Sequence, residues 1–334
     1  MLRVRHYPYQ SHSLMFGGFE VQMLSTINAI ENYFKDKVII EKNNPWNIDS
    51  NFDIAHFWGL GFPSYEDIKW ARKSNKTVIL TALFSYYESN MSKFKYLISS
   101  AIGPQKYYKE LLNHIDTLVV VSEHQKKIAI KYFNFKPKNI FIIPNIVGDI
   151  FFDDTNIKRP RIIPFREYIV SIGNVCSRKN QHKLSEAILL NNQKLVILGN
   201  PVIGEEQYTK QFAEFVSENS DNLLWIKGLN ANSSKLRNII KYSSAVALPS
   251  YQETQPISLL EAAVLQKPIV VSNLAFAYQK YYQNSRLVNP NSIKSISNGL
   301  LDVIENSNRF IAPLENLKDC TSKNVASAYM DIYK

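Results

Sequence analysis

The chain has 334 residues, 45% of them apolar and 20% charged, with a formal net charge of +10. That balance describes a folded globular protein with room for two ordinary domains, and no apolar run approaches the ~20 residues a membrane span needs. The start, Met1-Leu2-Arg3-Val4-Arg5, carries no signal-peptide h-region, and two cysteines offer no disulfide framework, so a reducing cytoplasm is the expected compartment.

Short apolar runs alternate with longer amphipathic stretches from end to end, the pattern of βαβ units around a mostly parallel sheet. In the first half, strands are predicted at 38–40, 54–58, 77–81, 117–122 and 140–143, with helical spacing over 19–34 and 124–132. The basic residues of 92–109 and 124–138 are interleaved with Phe, Tyr, Ile and Leu. Such mixtures suit the edge of an anionic bilayer. The simpler reading is lysines snorkelling over ordinary surface helices. No nucleic-acid-binding module or Arg-rich stripe occurs, so the positive charge points to a phosphorylated ligand or a membrane surface rather than nucleic acid. Residues 148–164 are polar, charged and bounded by Pro160 and Pro164, and read as a linker. A second series of strands is predicted at 168–172, 194–198, 223–227, 245–248 and 268–271. Two doubly wound halves with a cleft between them is the economical arrangement.

In such sheets ligands bind beyond the carboxyl ends of the strands. Here those ends carry Gly173-Asn174, Gly199-Asn200 and Gly228, all in the second half. The run 245–248 leads through Pro249-Ser250 into Glu253-Thr254-Gln255-Pro256, and then to helical spacing at Ile257, Leu260, Ala263 and Val264. Pro256 suits the first turn of a helix, where a missing N–H costs nothing. Glu253 then falls in the strand-to-helix loop and Glu261 about two turns into the helix. Between them lie unpaired backbone N–H groups and the positive end of a helix dipole, a seat for phosphate. Two acids flanking an anion seat match a ligand with hydroxyls at both ends and a diphosphate between, as in a nucleotide sugar. The plainer alternative is an acid that complements the helix dipole and another on a solvated face. Cys176 is read as packing.

Gly17-Gly18-Phe19-Glu20, Asp53-Ile54-Ala55-His56, Val121-Ser122-Glu123, Ile143-Pro144-Asn145, Gly173 with Lys179, and Glu253 with Glu261 in Glu-x7-Glu spacing occur in that order. The set resembles the markers of the glycosyltransferase family 4 (group 1) enzymes over nearly the whole chain. The resemblance implies an α/β architecture of the GT-B kind, two doubly wound Rossmann-like domains facing a central cleft. It implies an acceptor-side domain over 1–155, a nucleotide-sugar domain over 165–310, and a C-terminal helix over 311–334 packing back on the first domain. Lys179 would contact the donor diphosphate and take up its leaving-group charge, while Ile257 and Ser258 offer backbone N–H groups to it. Glu261 would accept from the ribose hydroxyls and Glu253 would bind the transferred sugar. Gly18 would let its loop approach the phosphates, and Gly173, Gly199, Gly228, Thr254 and Gln255 would complete the donor pocket. The implied reaction is a retaining transfer from a nucleotide-diphosphate sugar to a glycan, lipid-linked or other glycoconjugate acceptor, in surface polysaccharide synthesis. It needs no cofactor or metal, and no Asp-x-Asp motif occurs in the chain. The expected setting is cytoplasmic, with peripheral contact at the inner membrane face.

The chain departs from the family in three places. Asn174 stands where an Arg is usual, with Arg178 as the candidate substitute cation. Thr254 and Pro256 replace glycines, and Pro256 withholds a donor. Thr81-Ala82-Leu83 lacks the histidine of a Thr-x-His. Two other readings compete: a non-catalytic GT-B subunit that binds nucleotide or glycan, and a nucleotide-sugar epimerase. A dinucleotide fingerprint at Gly59-Leu60-Gly61-Phe62-Pro63-Ser64 fails, because Pro63 intrudes and no acid follows at the ribose position.

Overall fold

The structure is a computed structural model that describes residues 1–13, 16–59, 64–84, 110–133 and 139–334. The basic-aromatic stretch 92–109, residues 134–138 of the second such stretch, and Leu60 to Pro63 lie outside the described residues. Contacts group the chain into two units. One holds residues 1–14, 22–145 and 323–334; the other holds 15–21 and 146–322.

In the first unit six parallel strands run in the order β2-β1-β3-β4-β5-β6. They are β1 (Leu2–Tyr7), β2 (Val38–Lys42), β3 (Ile54–Trp58), β4 (Thr77–Thr81), β5 (Thr117–Val120) and β6 (Ile140–Ile142). All but β1 were expected. Its polar sequence, Leu2-Arg3-Val4-Arg5-His6-Tyr7, hides a strand with neighbours on both sides. Glu41 of β2 makes that possible, binding Arg3 at 2.6 Å and Arg5 at 2.8 Å. Arg5 is thereby buried as one half of an ion pair, the condition under which a charge enters a core. The terminal helix Ser322–Tyr333 belongs to this unit from Lys323 on. Its Tyr333 hydroxyl meets His56 Nδ1 at 2.7 Å, and its Tyr329 hydroxyl meets Thr81 Oγ1 at 3.1 Å.

The second unit has its own six-stranded parallel sheet, in the order β12-β11-β10-β7-β8-β9. The strands are β7 (Ile169–Ile172), β8 (Leu195–Leu198), β9 (Leu223–Ile226), β10 (Ala245–Leu248), β11 (Ile269–Ser272) and β12 (Arg286–Val288). Runs such as Leu195-Val196-Ile197-Leu198 and Ala245-Val246-Ala247-Leu248 are buried throughout, as strands covered by helices on both faces must be. β12, with only three residues and an Arg at its head, gave no sequence signal. The order reverses between β7 and β10, which makes their carboxyl ends the switch point of a doubly wound sheet.

The expected linker 148–164 is a packed strap on this unit. Phe151 and Ile163 are buried in its core. Arg237, almost wholly buried, donates to the Asp153 carbonyl at 2.8 Å. The strap's polar composition concealed this because its anchors are two isolated apolar residues and a remote arginine. Residues 311–321 also belong to this unit rather than travelling with the terminal helix.

Candidate active site

Three loops meet at the carboxyl ends of β7, β8 and β10. β7 is followed by Gly173, whose φ of +141° few other residues adopt. A Cβ there would sit 3.0 Å from Lys179 Cε and 3.1 Å from Nζ, so the glycine leaves the lane along which Lys179 passes. At the next strand end a Cβ on Gly199 would fall 2.0 Å from the Gly173 carbonyl oxygen. Gly199 is therefore required by close backbone approach, and Gly173 by its positive φ beside the Lys179 side chain. Gly199 accepts from Trp225 Nε1 at 2.8 Å, and Asn200 Oδ1 accepts from the N–H of Gly228 at 2.8 Å.

Lys179 lies in a single 3-10 turn, Ser177–Lys179. Its Nζ meets Glu253 Oε1 at 2.6 Å, with the lysine side chain 10% and the glutamate 9% exposed. Arg178 reaches the same oxygen at 3.1 Å and the Gln252 carbonyl at 2.6 Å. The turn is held by Asn180, which the sequence reading passed over. Asn180 is left-handed, with φ +59°, and its Nδ2 donates to the carbonyls of Pro249 at 2.9 Å and Pro290 at 2.8 Å. Gln181 continues the brace, donating to the Asn174 carbonyl at 3.0 Å. The available signal was an Asn at a helix start, a residue type that tolerates left-handed backbone and caps turns. Cys176 is buried beside this turn, as packing.

The helix after β10 runs Ile257–Val264, with Pro256 as its N-cap at φ −66° and ψ 119°. Pro256 thus stands one place before the expected first turn, its carbonyl accepting from Leu259 at 3.1 Å and Leu260 at 3.3 Å. Because the helix starts at Ile257, Glu261 lies about one turn in rather than two. Ile257 and Ser258, as the first two helical residues, have no acceptor for their N–H groups inside the helix. Ser258 Oγ donates to the Ile172 carbonyl at 3.4 Å, tying the helix start to the end of β7. Thr254 and Gln255 are fixed from the side: Gln279 Nε2 donates to the Thr254 carbonyl, and Gln255 Nε2 to Gln279 Oε1, both at 2.7 Å. Asn174 donates its side-chain amide to the Phe16 carbonyl at 3.1 Å, residues 15–21 being grouped with this unit. Gly18 starts the helix Gly18–Phe34, and a Cβ on it would meet nothing within 4 Å. The preceding N–H, that of Gly17, is capped by Glu20 Oε2 at 2.8 Å.

The site residues expected from sequence therefore gather on one unit, around a turn bearing two cations and an open helix start. The sequence model of the glycosyl transferases group 1 matches residues 153–321, just over half of the chain and all of this site except the Gly18 loop. The chain belongs to the group 1 glycosyl transferases. No curated protein sequence matches it significantly. Solved structures extend the likeness to the whole length of this glycosyltransferase. HepE of Anabaena, solved with UDP, is 13% identical with a TM-score of 0.75, each chain 99% covered. Sucrose-phosphate synthase of Thermosynechococcus elongatus is 13% identical with a TM-score of 0.76, covering 100% of this chain and 98% of its own. A glycosyltransferase of Rickettsia africae is 14% identical with a TM-score of 0.70, covering 100% and 97%. At such identities the likeness is one of fold, and that fold is GT-B.

The two acids of this glycosyltransferase sit in opposite electrostatic settings. Burial works against ionisation of Glu253, but the charges of Lys179 and Arg178 outweigh it and hold its pKa below the usual carboxylate range. Glu261 is 3% exposed, and its carboxyl meets no partner among the described residues. Burial alone pushes its pKa up to about 8. A carboxyl so placed is costly unless something supplies its hydrogen bonds. Among the described residues no helix is long and apolar enough to cross a membrane.

Proposed function

We propose that this glycosyltransferase moves a hexosyl group, with retention and without a catalytic metal, from a nucleotide-diphosphate sugar to a glycan, lipid-linked or other glycoconjugate acceptor in surface polysaccharide synthesis. The observation that carries this reading is the pairing of Lys179 with Glu253 beside the open start of the helix Ile257–Val264, with the unpartnered Glu261 one turn further in. Lys179, Arg178 and the N–H groups of Ile257 and Ser258 together form an anion seat for a diphosphate. Glu261 supplies the ribose with an acceptor, or while protonated a donor. The Anabaena relative of this fold has been solved with UDP-glucose, which supports a donor of that class.

Without donor, Glu253 neutralises Lys179. An arriving diphosphate draws Lys179 and Arg178 to itself and frees Glu253 to accept from the sugar hydroxyls. The acceptor hydroxyl then attacks the anomeric carbon from the face the leaving phosphate occupies. The bond from that carbon to the phosphate oxygen breaks, the new glycosidic bond forms, and the hydroxyl proton passes to the phosphate. Lys179 stabilises the charge on the departing diphosphate, a fixed cation whose effect grows where charge develops. The proposal also places the enzyme in the cytoplasm, in peripheral contact with the membrane.

A thermal-shift series with UDP, GDP, ADP and their hexoses tests the donor assignment. A ligand at ~100 times its Kd stabilises by about 2.7 kcal/mol, which separates the bases. Lys179→Ala should abolish both the shift and transfer. A shift that survived unchanged in Lys179→Ala would remove the diphosphate from this site.

A further inference from the structure

On the first unit, Trp46 is 92% and Ile48 100% exposed, two large apolar side chains wholly in water on one short loop. The loop follows β2, an edge strand of its sheet, and is fixed from behind. Asn44 Oδ1 accepts from the Trp46 N–H at 3.1 Å, and Asn47 Oδ1 from the Asp49 N–H at 2.9 Å. Arg5 donates to the Asp49 carbonyl at 2.7 Å and Arg3 to its carboxylate at 3.3 Å. Because Arg3 and Arg5 lie on β1, opposite Ile39 and Glu41 of β2, the loop returns alongside the edge strand. Ile39, 42% exposed, shares that edge, and Tyr33, 45% exposed, precedes it at the end of the first helix.

We propose that this edge is the surface by which the enzyme seats on an anionic bilayer, with Trp46 and Ile48 entering the headgroup region. It gives a location to the membrane contact included in the proposed function. Two observations choose a bilayer over a protein partner. The apolar tip is two side chains wide, far short of the roughly 800 Å² per partner that a stable protein interface buries. A fluid bilayer closes around so narrow a wedge, and an indole belongs at its interface. The charge also fits. Glu41 and Asp49 are bound by Arg3 and Arg5, and exposed Lys35, Lys37 and Lys42 balance Glu31, Asp36 and Asp53, so this edge sets no net repulsion against the attraction of a chain of net charge +10 to an anionic surface.

The test is co-sedimentation of the full chain with vesicles of phosphatidylcholine alone or containing phosphatidylglycerol, at two salt concentrations. The intact protein should bind the anionic vesicles, and less well at high salt. The double substitution Trp46→Ser with Ile48→Ser should weaken binding tenfold or more while leaving the melting temperature and the UDP shift unchanged. Lys42→Gln should steepen neither effect but lower anionic binding several-fold. If the intact protein ignores both vesicle types, membrane contact itself falls. Equal binding by the double variant means the bilayer is met elsewhere. A dimer in light scattering that the double substitution dissolves would assign the loop to self-association instead. Each of these three results overturns the proposal, and the unchanged UDP shift keeps them separate from the donor assignment.

Discussion

Glu253 and Glu261 are the same side chain put to opposite electrical uses by their surroundings. Two touching cations hold the Glu253 pKa down against its burial, while burial alone pushes that of Glu261 up to about 8. Removing Lys179 leaves a buried carboxylate with one exposed arginine for company, and breaking a buried pair from one side costs about 3 kcal/mol. Lys179→Ala should therefore lower the melting temperature, and Glu253→Gln added to it should restore much of the loss. If the two effects simply sum, the pair is not coupled. For Glu261 the sign follows from its raised pKa. Between its ordinary value of 4.5 and about 8, the folded protein holds a proton that the unfolded chain has released. This group's effect on stability is nil below pH 4.5 and becomes a growing penalty up to about 8. Glu261→Gln should melt like the parent at pH 4 and higher at pH 8.5, by on the order of a few kcal/mol. The same substitution should weaken the UDP shift. Equal melting of parent and variant across the range would mean that Glu261 is solvated.

Among elements, the strand-end turns decide what the side chains can do. Gly199 and Gly173 bring the ends of β7 and β8 into backbone contact, and Asn180 stitches the cation-bearing turn to the loop after β10. Gly199→Ala forces a Cβ onto a carbonyl oxygen and should cost about 3 kcal/mol, with loss of the UDP shift. Gly18→Ala meets open space and should leave stability within about 0.5 kcal/mol. Any loss of transfer in that variant would then report the loop's approach to donor rather than folding. Calorimetry of both proteins with and without UDP separates the cases. Most of these elements were legible: the apolar runs 245–248 and 195–198 can hardly be anything but buried strands. β1 was not, because its arginines find their partners in Glu41 and Asp49, far along the chain. The helix after Pro256 ends at Leu265, just before Gln266-Lys267-Pro268, where its apolar spacing stops too.

On the scale of the molecule, the first unit is closed by the last helix through a buried polar chain. His56 bridges Tyr333 at 2.7 Å and Thr81 at 2.9 Å, and Thr81 meets Tyr329 at 3.1 Å. The His6 ring lies 4.9 Å from that of His56, tilted by 42°, and accepts from Trp58 Nε1 at 2.9 Å. Burial lowers the His6 pKa to about 3, and burial followed by the charge of His6 puts His56 well below the usual value of 6.5. Both therefore cost the folded state nothing above pH 6.5, where the histidines are neutral folded or unfolded, and become a growing penalty as acid charges the unfolded chain's histidines. The melting temperature of the parent should fall between pH 7 and 4.5, and His56→Asn should flatten the slope. Tyr333→Phe orphans His56 Nδ1 and should cost about 2 kcal/mol at pH 7.5. A melting curve indistinguishable from the parent's would show that the terminal helix is held by packing alone.

The order of apolar runs, the glycines at their ends and the spacing of Glu253 and Glu261 determined the doubly wound class and the end of the sheet at which the candidate site lies. Those are local properties, set by how a short segment buries itself and where its backbone must bend. Which cation meets which acid, why the Glu261 pKa is raised, how Asn180 fixes the turn, and where Trp46 and Ile48 stand exposed were decided only in three dimensions. Each depends on desolvation and on partners tens to hundreds of residues apart, and neither quantity exists until the chain has folded.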